Sequence, residues 1–139
     1  MKILIINGPN LNLLGRRNPD LYGKRSMEQI VVDLQQAHPD LWLTYYQSNH
    51  EGDLIDQIQQ VRKDEYTAVI LNAGGYTHTS VSLRDAIELC EVPVIEVHLS
   101  DITQREDFRR VSLLTEVCQV TIMGSNCYEK AINHILATM

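Results

Sequence analysis

Short apolar runs alternate along this chain with segments whose apolar residues recur every three or four positions, the two periods that separate strands from helices. Five runs read as strands: residues 3–6, 41–46, 68–71, 94–97 and 117–122. Between them, Met27, Ile30, Val31 and Leu34 form one helical stripe, with Ser26 and Gln29 at capping-box spacing ahead of it. Leu54, Ile55, Ile58 and Val61 form a second stripe, Leu83, Ala86, Ile87 and Cys90 a third, and Tyr128, Ala131, Ile132 and Ile135 the last. Thr103 and Glu106 are spaced to cap a further short helix.

Regular alternation of this kind implies parallel strands joined by right-handed crossovers, with helices on both faces of one sheet. The first, third and fourth runs are the most continuously apolar, as strands covered on both faces must be. The second and fifth carry more polar residues and read as edges. The expected architecture is therefore α/β: a flavodoxin-like three-layer fold with a five-stranded parallel sheet in the order 2-1-3-4-5. The length suits a single catalytic domain, 1–139, with no repeat, low-complexity tract or linker. Two features depart from the pattern. Residues 7–25 form a polar connection much longer than such folds need, and its arginines and Tyr22 suggest a lid around residues 16–25. Glu96 interrupts the fourth apolar run, where a carboxylate requires a partner, either at an interface or behind a site.

With 44% hydrophobic and 22% charged residues, the chain is ordinary for a globular protein. A formal net charge of −6 argues against general nucleic-acid binding, although local arginines can still build a site for a small anion. No apolar stretch approaches a membrane span. Met1-Lys2 runs straight into Ile3-Leu4-Ile5-Ile6, too short for a signal-peptide core, so a cytoplasmic protein without membrane contact is expected. Cys90, Cys118 and Cys127 are odd in number and lack metal-ligand spacing; they read as buried thiols, not as a zinc site or disulfides.

In an open α/β sheet, ligands bind beyond the carboxyl ends of the strands where the strand order reverses, here between the first and third strands. The residues that follow the runs are Asn7-Gly8-Pro9-Asn10, Asn49-His50-Glu51-Gly52, Asn72-Ala73-Gly74-Gly75, His98-Leu99-Ser100 and Gly124. Amides, glycines and histidines concentrate there, though part of this is ordinary turn composition. The turn from Asn72 to Ser80 leads into the third helix, where free N–H groups and the helix dipole suit an anion; the same residues read equally as a plain cap by Thr79 or Ser80. His98 ends an apolar strand, where an imidazole can act as acid or base or simply bond to a carbonyl. His78, one loop away, places two histidines on one crevice. His50, flanked by Glu51, reads as an orienting or surface residue, and His38 and His134 as solvated.

Arg16, Arg17 and Arg25 surround Tyr22. A phenol, with a pKa of about 10, is a poor base at neutral pH, but a guanidinium within a few ångströms favours the phenolate. A tyrosine and an arginine on one lid can thus form a general base. The plain alternative is a solvated charged loop with a packing tyrosine. Arg105, Arg109 and Arg110 follow the fourth strand, where Arg109 can clamp a carboxylate or lie on an exposed helix face.

Taken together, these segments resemble the motifs of type II dehydroquinases. Residues 7–15, Asn-Gly-Pro-Asn-Leu-Asn-Leu-Leu-Gly, with residues 17–23, Arg-Asn-Pro-Asp-Leu-Tyr-Gly, are similar to that family's amino-terminal signature. Segments 47–52, 72–80, 83–86, 95–100 and 105–109 are similar to its other motifs, in the same order, over nearly the whole chain. The resemblance implies a flavodoxin-like subunit, assembled as a dodecamer of trimers, that dehydrates 3-dehydroquinate in the shikimate or quinate pathway without cofactor or metal. The reaction it implies is an anti elimination through an enolate, giving 3-dehydroshikimate. By motif position, Tyr22 is the base that removes the proton α to the ring ketone, and Arg17 lowers its pKa and stabilises the transition state. Asn10 helps hold the water that supports the enolate, and His98 protonates the departing hydroxyl. Asn72, His78, Asp85, the Leu99-Ser100 segment and Arg109 bind the substrate's hydroxyls and carboxylate. The chain departs from the family pattern at Asn18, where Glu is usual, at Asp101, where Asn is usual, and at Ile122 and Cys127, where glycine is usual.

On fold alone, a flavodoxin-like binding or signalling module competes with this reading. A phosphoacceptor receiver needs acidic residues after the first strand and an Asp after the third, where this chain has Asn7 and Asn72. A flavin carrier needs a Ser/Thr-rich phosphate loop where this chain has Asn7-Gly8-Pro9-Asn10. A Schiff-base dehydratase is disfavoured as well: none of Lys2, Lys24, Lys63 and Lys130 ends a strand run, and the chain is too short for an eightfold β/α barrel.

Overall fold

The computed structural model of the chain describes residues 1–16, 20 and 24–139. Five strands, β1 (Lys2–Asn7), β2 (Trp42–Gln47), β3 (Ala68–Asn72), β4 (Val94–His98) and β5 (Val120–Met123), form one all-parallel sheet in the order β2-β1-β3-β4-β5. Helices α1 (Met27–Ala37), α2 (Glu51–Gln60), α3 (Val81–Glu88) and α4 (Cys127–Thr138) provide the covering layers. This is the flavodoxin-like arrangement expected from the alternation of periods.

The alternation of side chains along each strand explains the two cores. Ile3 and Ile5 of β1, Ala68 and Ile70 of β3 and Ile95 and Val97 of β4 pack on α1 and α4 through Met27, Leu34, Tyr128 and Ile132. Leu4, Ile6, Val69, Leu71 and Val94 face the other way, onto Leu54 and Ile58 of α2 and Leu83 and Ile87 of α3. Strands β1 and β3 are buried along almost their whole length, so truncating a residue such as Ile70 to alanine should cost about 2–5 kcal/mol. The edge strands β2 and β5 are only half-buried, as their polar content requires.

Several local expectations are corrected. The last strand begins at Val120, three residues later than the apolar run suggests, because Val117 and Cys118 donate their N–H groups back to Leu114 in a turn. No α-helix forms at Thr103–Glu106. Two short 3-10 turns, Ile102–Gln104 and Asp107–Arg109, stand there instead, and Asp101 caps the first by accepting the Thr103 N–H at 3.0 Å. Ser26 caps α1 by accepting the Gln29 N–H at 3.1 Å, but the Gln29 side chain turns to Asp33, so only half of the capping box is formed. All three cysteines are free thiols; Cys127 is buried, whereas Cys90 and Cys118 are half-buried. His134 is also half-buried and not solvated. Among the described residues, no helix is long and apolar enough to cross a membrane.

Candidate active site

The carboxyl ends of β1 and β3 meet at the switch point, and glycine makes their approach possible. The Gly8 N–H donates to the Asn72 carbonyl at 2.7 Å, and any Cβ on Gly8 would fall 2.3 Å from the Ala73 carbonyl oxygen. Gly74, at φ +61°, turns the chain away after β3 beside Pro9. Together they bring the segments after β1, β3 and β4 around a cavity of about 210 Å³. Asn10, Asn72, His78, His98, Leu99, Ser100, Arg105 and Arg109 line it. No Asp or Glu is among the described lining residues, so this crevice is locally positive although the chain carries −6.

His98 and Glu96 lie two residues apart on β4 and so share one face of the sheet, the α3 side. Glu96 is fully buried, and five donors converge on its carboxylate. His98 Nε2 lies 2.7 Å from Oε2, which also accepts the hydroxyls of Thr77 at 2.8 Å and Ser112 at 2.5 Å. Oε1 accepts the hydroxyls of Thr121 at 2.7 Å and Thr115 at 2.9 Å. Burial pushes the Glu96 carboxyl upward, but the hydrogen bonds from His98, Ser112 and Thr121 and the His98 charge outweigh it and hold the pKa at about 2. Glu96 is therefore an anion at neutral pH. An anionic carboxylate only accepts, so His98 Nε2 keeps its proton in either charge state, and Nδ1 is the nitrogen that gains or loses one. The odd carboxylate in the fourth strand thus lies behind His98, and its hydrogen bonds are satisfied within the chain.

Across the sheet, on the α4 side, Asn72 is held from behind. The fully buried Tyr128 hydroxyl donates to Asn7 Oδ1 at 2.7 Å and accepts from Asn72 Nδ2 at 3.2 Å. Asn72 Oδ1 accepts the Gly74 N–H at 3.2 Å, which fixes the turn and the amide together. His78 Nδ1 lies 2.8 Å from the Val111 carbonyl and must donate to it, so neutral His78 has Nε2 as an acceptor. Arg105 Nη1 donates to Ser100 Oγ at 3.4 Å, and Arg109 Nε lies 3.2 Å from Glu106 Oε2.

The structure therefore brings Asn10, Asn72, His78, His98, Leu99, Ser100 and Arg109 to one cavity. It does not bring Asp85 there: Asp85 is exposed on α3 and does not line the cavity. Tyr22 and Arg17 lie outside the described residues. Arg105 lines the cavity beside Arg109, a role for which the sequence offered only its place after β4. At the far end of the Asn72–Ser80 turn Ser80 caps α3, accepting the Leu83 N–H at 2.9 Å and donating to Glu51 at 2.5 Å. Thr77, Ser112, Thr115, Thr121 and Tyr128 support the site unforeseen. Among the described residues, no group of three or more His, Cys, Asp or Glu side chains is placed to hold a metal ion.

A polar, locally positive cavity at the switch point of an α/β sheet, with an imidazole locked to a buried anion, suits proton transfer on a small acidic molecule. Comparison with known proteins narrows this chemistry. The sequence profile of the family described as Dehydroquinase class II matches residues 1–136. A 3-dehydroquinate dehydratase from Exiguobacterium sp. is 49% identical over 98% of this chain and 94% of its own length. One from Bordetella avium is 47% identical over 95% and 94%. The crystal structure of a type II dehydroquinase from Butyrivibrio crossotus superposes with a TM-score of 0.93 at 39% identity, covering 98% of this chain and 97% of that one. The chain belongs to the class II dehydroquinase family, and it is an enzyme of the hydro-lyase class.

Proposed function

We propose that this chain converts 3-dehydroquinate to 3-dehydroshikimate by anti elimination of water through an enolate, in the shikimate or quinate pathway. The observation that carries the reading is His98, which lines the cavity with Nε2 tied to the anionic Glu96 and Nδ1 left to deliver a proton. In the first step Tyr22, as phenolate beside Arg17, takes the proton α to the ring ketone, and the electron pair moves onto the ketone oxygen as an enolate. A water held with the help of Asn10 supports that charge, with Arg17 as the nearby cation. In the second step the enolate collapses to a conjugated enone as the C–O bond breaks, and His98 protonates the hydroxyl so that it leaves as water.

Binding follows from the same cavity. Asn72, His78, the Leu99-Ser100 segment and Arg109, which line it, bind the substrate's hydroxyls and carboxylate, and a guanidinium such as that of Arg109 suits the carboxylate. Residues 16–25 act as a lid over the single catalytic domain, and no cofactor or metal takes part. Both ends of that segment are anchored: the Arg16 N–H donates to Leu13, and Arg25 pairs with Asp33 at 2.9 Å and Glu129 at 2.8 Å. We further infer a cytoplasmic enzyme assembled as a dodecamer of trimers. Support comes from Val81, Leu89 and Phe108, which are 60%, 81% and 69% exposed, and from Asp85, whose substrate-binding role requires the cavity of another copy. Glu96, satisfied within its own chain, no longer speaks for an interface. Light scattering should report a mass many times 15.9 kDa, and a fully active monomer would contradict the assembly. The decisive test is to add 3-dehydroquinate to the purified protein and follow the ultraviolet absorbance of the enone; no increase would sink the proposed activity.

A further inference from the structure

Glu96 and Thr121 are register partners on β4 and β5, and the hydroxyls on the two carboxylate oxygens divide by location. Oε2 faces His98, Thr77 and Ser112, whereas Oε1 accepts from Thr121 at 2.7 Å and Thr115 at 2.9 Å. Neither threonine lines the cavity. We propose that Thr121, assisted by Thr115, is a positioning residue for the acid of the reaction, setting how strongly Glu96 holds the His98 imidazolium. The inference rests on the reading of His98 as that acid.

A carboxylate shares one charge between two oxygens, and donors on one draw charge density away from the other. Two hydroxyls on Oε1 therefore weaken the pull of Oε2 on the His98 N–H, while the whole cage still keeps His98 oriented. An imidazolium held less tightly gives up its Nδ1 proton more readily. Removing the Thr121 hydroxyl concentrates charge on Oε2, binds the imidazolium harder and makes a poorer acid. Glu96 itself stays ionised, since it starts from about 2. The other titratable or charged groups facing the pair are Cys118, from the turn before β5, and His78, Arg105 and Arg109 around the cavity. Burial, Glu96 and Cys90 push the Cys118 thiol up to about 12, so it is neutral and takes no part in the tuning. A valine would fill nearly the same volume as Thr121, which separates the hydroxyl's role from packing.

The test uses Thr121→Val, Thr121→Ser and Thr115→Val in the assembled enzyme carrying isotope-labelled histidine. His98 is titrated by NMR, with its signal assigned from His98→Gln, and kcat and KM are measured in parallel. Thr121→Val should raise the His98 midpoint by several tenths to about one pH unit and lower kcat a few-fold to about tenfold, with KM little changed. Thr121→Ser should restore both values, and Thr115→Val should shift the midpoint in the same direction. An unchanged or lowered midpoint in both valine variants overturns the proposal, as does a kcat loss that serine does not rescue. Full turnover in His98→Gln would overturn it by a different route, by removing the acid assignment on which it stands.

Discussion

Glu96→Gln removes the charge behind His98 while keeping the side chain's shape, and its cost can be worked out. In the folded chain the Glu96 carboxyl titrates at about 2, against an ordinary 4.5. That difference corresponds to about 3 kcal/mol of stability at neutral pH. Because the folded value is depressed, the contribution is fully present above 4.5 and is lost as the pH falls from 4.5 towards 2. Glutamine has no such dependence. Its amide can still accept from His98 on one side and donate to the threonine oxygens on the other, so the fold should survive. Denaturant unfolding of both proteins at one fixed concentration should give a difference that includes this 3 kcal/mol near pH 7, with the pH-dependent part reduced to under half near pH 3. Turnover should fall by about 10²-fold or more, because His98 loses both its orienting anion and the counter-charge of its imidazolium. A stability difference that stays constant from pH 7 to pH 3 would refute the argument, since the carboxylate would then not be held ionised by its cage.

Tyr22→Phe, which removes only the phenolic oxygen, should leave folding and substrate binding intact and lower kcat by about 10²–10⁴-fold or more; near-normal turnover would place the base elsewhere. Arg17→Ala should also lower kcat, and partial recovery at high pH would assign the loss to tuning of Tyr22 and not to stabilisation of the enolate. Borohydride added during turnover should leave the enzyme active and its mass unchanged, because no lysine forms an imine; a reduced lysine adduct would disprove the enolate route. Tyr128→Phe removes the buried hydroxyl that donates to Asn7 Oδ1 and accepts from Asn72 Nδ2, so it should cost about 2 kcal/mol or more and raise KM more than it lowers kcat.

The fold was legible because its two periods are strong: β1 and β3 are built on unbroken apolar runs, β4 on one broken only by Glu96, and every long helix carries a stripe. The candidate site was legible wherever a residue ends a strand or follows it closely, as Asn72 and Ser100 do, since strand ends in this topology converge. Glu96 and His98 were half legible. Their spacing of two on a strand already places both on one face, which points the carboxylate at the histidine and not at an interface. Thr121 was not legible, because its meeting with Glu96 depends on the β4–β5 register, and the apolar run before β5 starts three residues too early. The hydroxyls of Thr77, Ser112 and Thr115 come from turns whose paths follow no periodicity. Asp85 is the reverse case: its motif position marks it for the substrate, while the helix leaves it exposed and away from the cavity of its own chain.

The bond from Tyr128 to Asn7 spans 121 residues of chain and closes directly behind Asn72. Its consequence lies in time. At a synthesis rate of roughly 5–20 residues per second, some 6–24 seconds separate the making of Asn7 from the making of Tyr128. Once Asn72 has been made, the first three strands exist as nascent chain, yet Asn7 Oδ1 and Asn72 Nδ2 still lack the Tyr128 hydroxyl that joins them. The cavity-lining amide of Asn72 is therefore set when α4 docks, close to the last event of folding. Fragments that stop short of α4 should be able to pair strands without ever presenting an ordered Asn72, so the two ends of the gene are bound together in every working copy of the site.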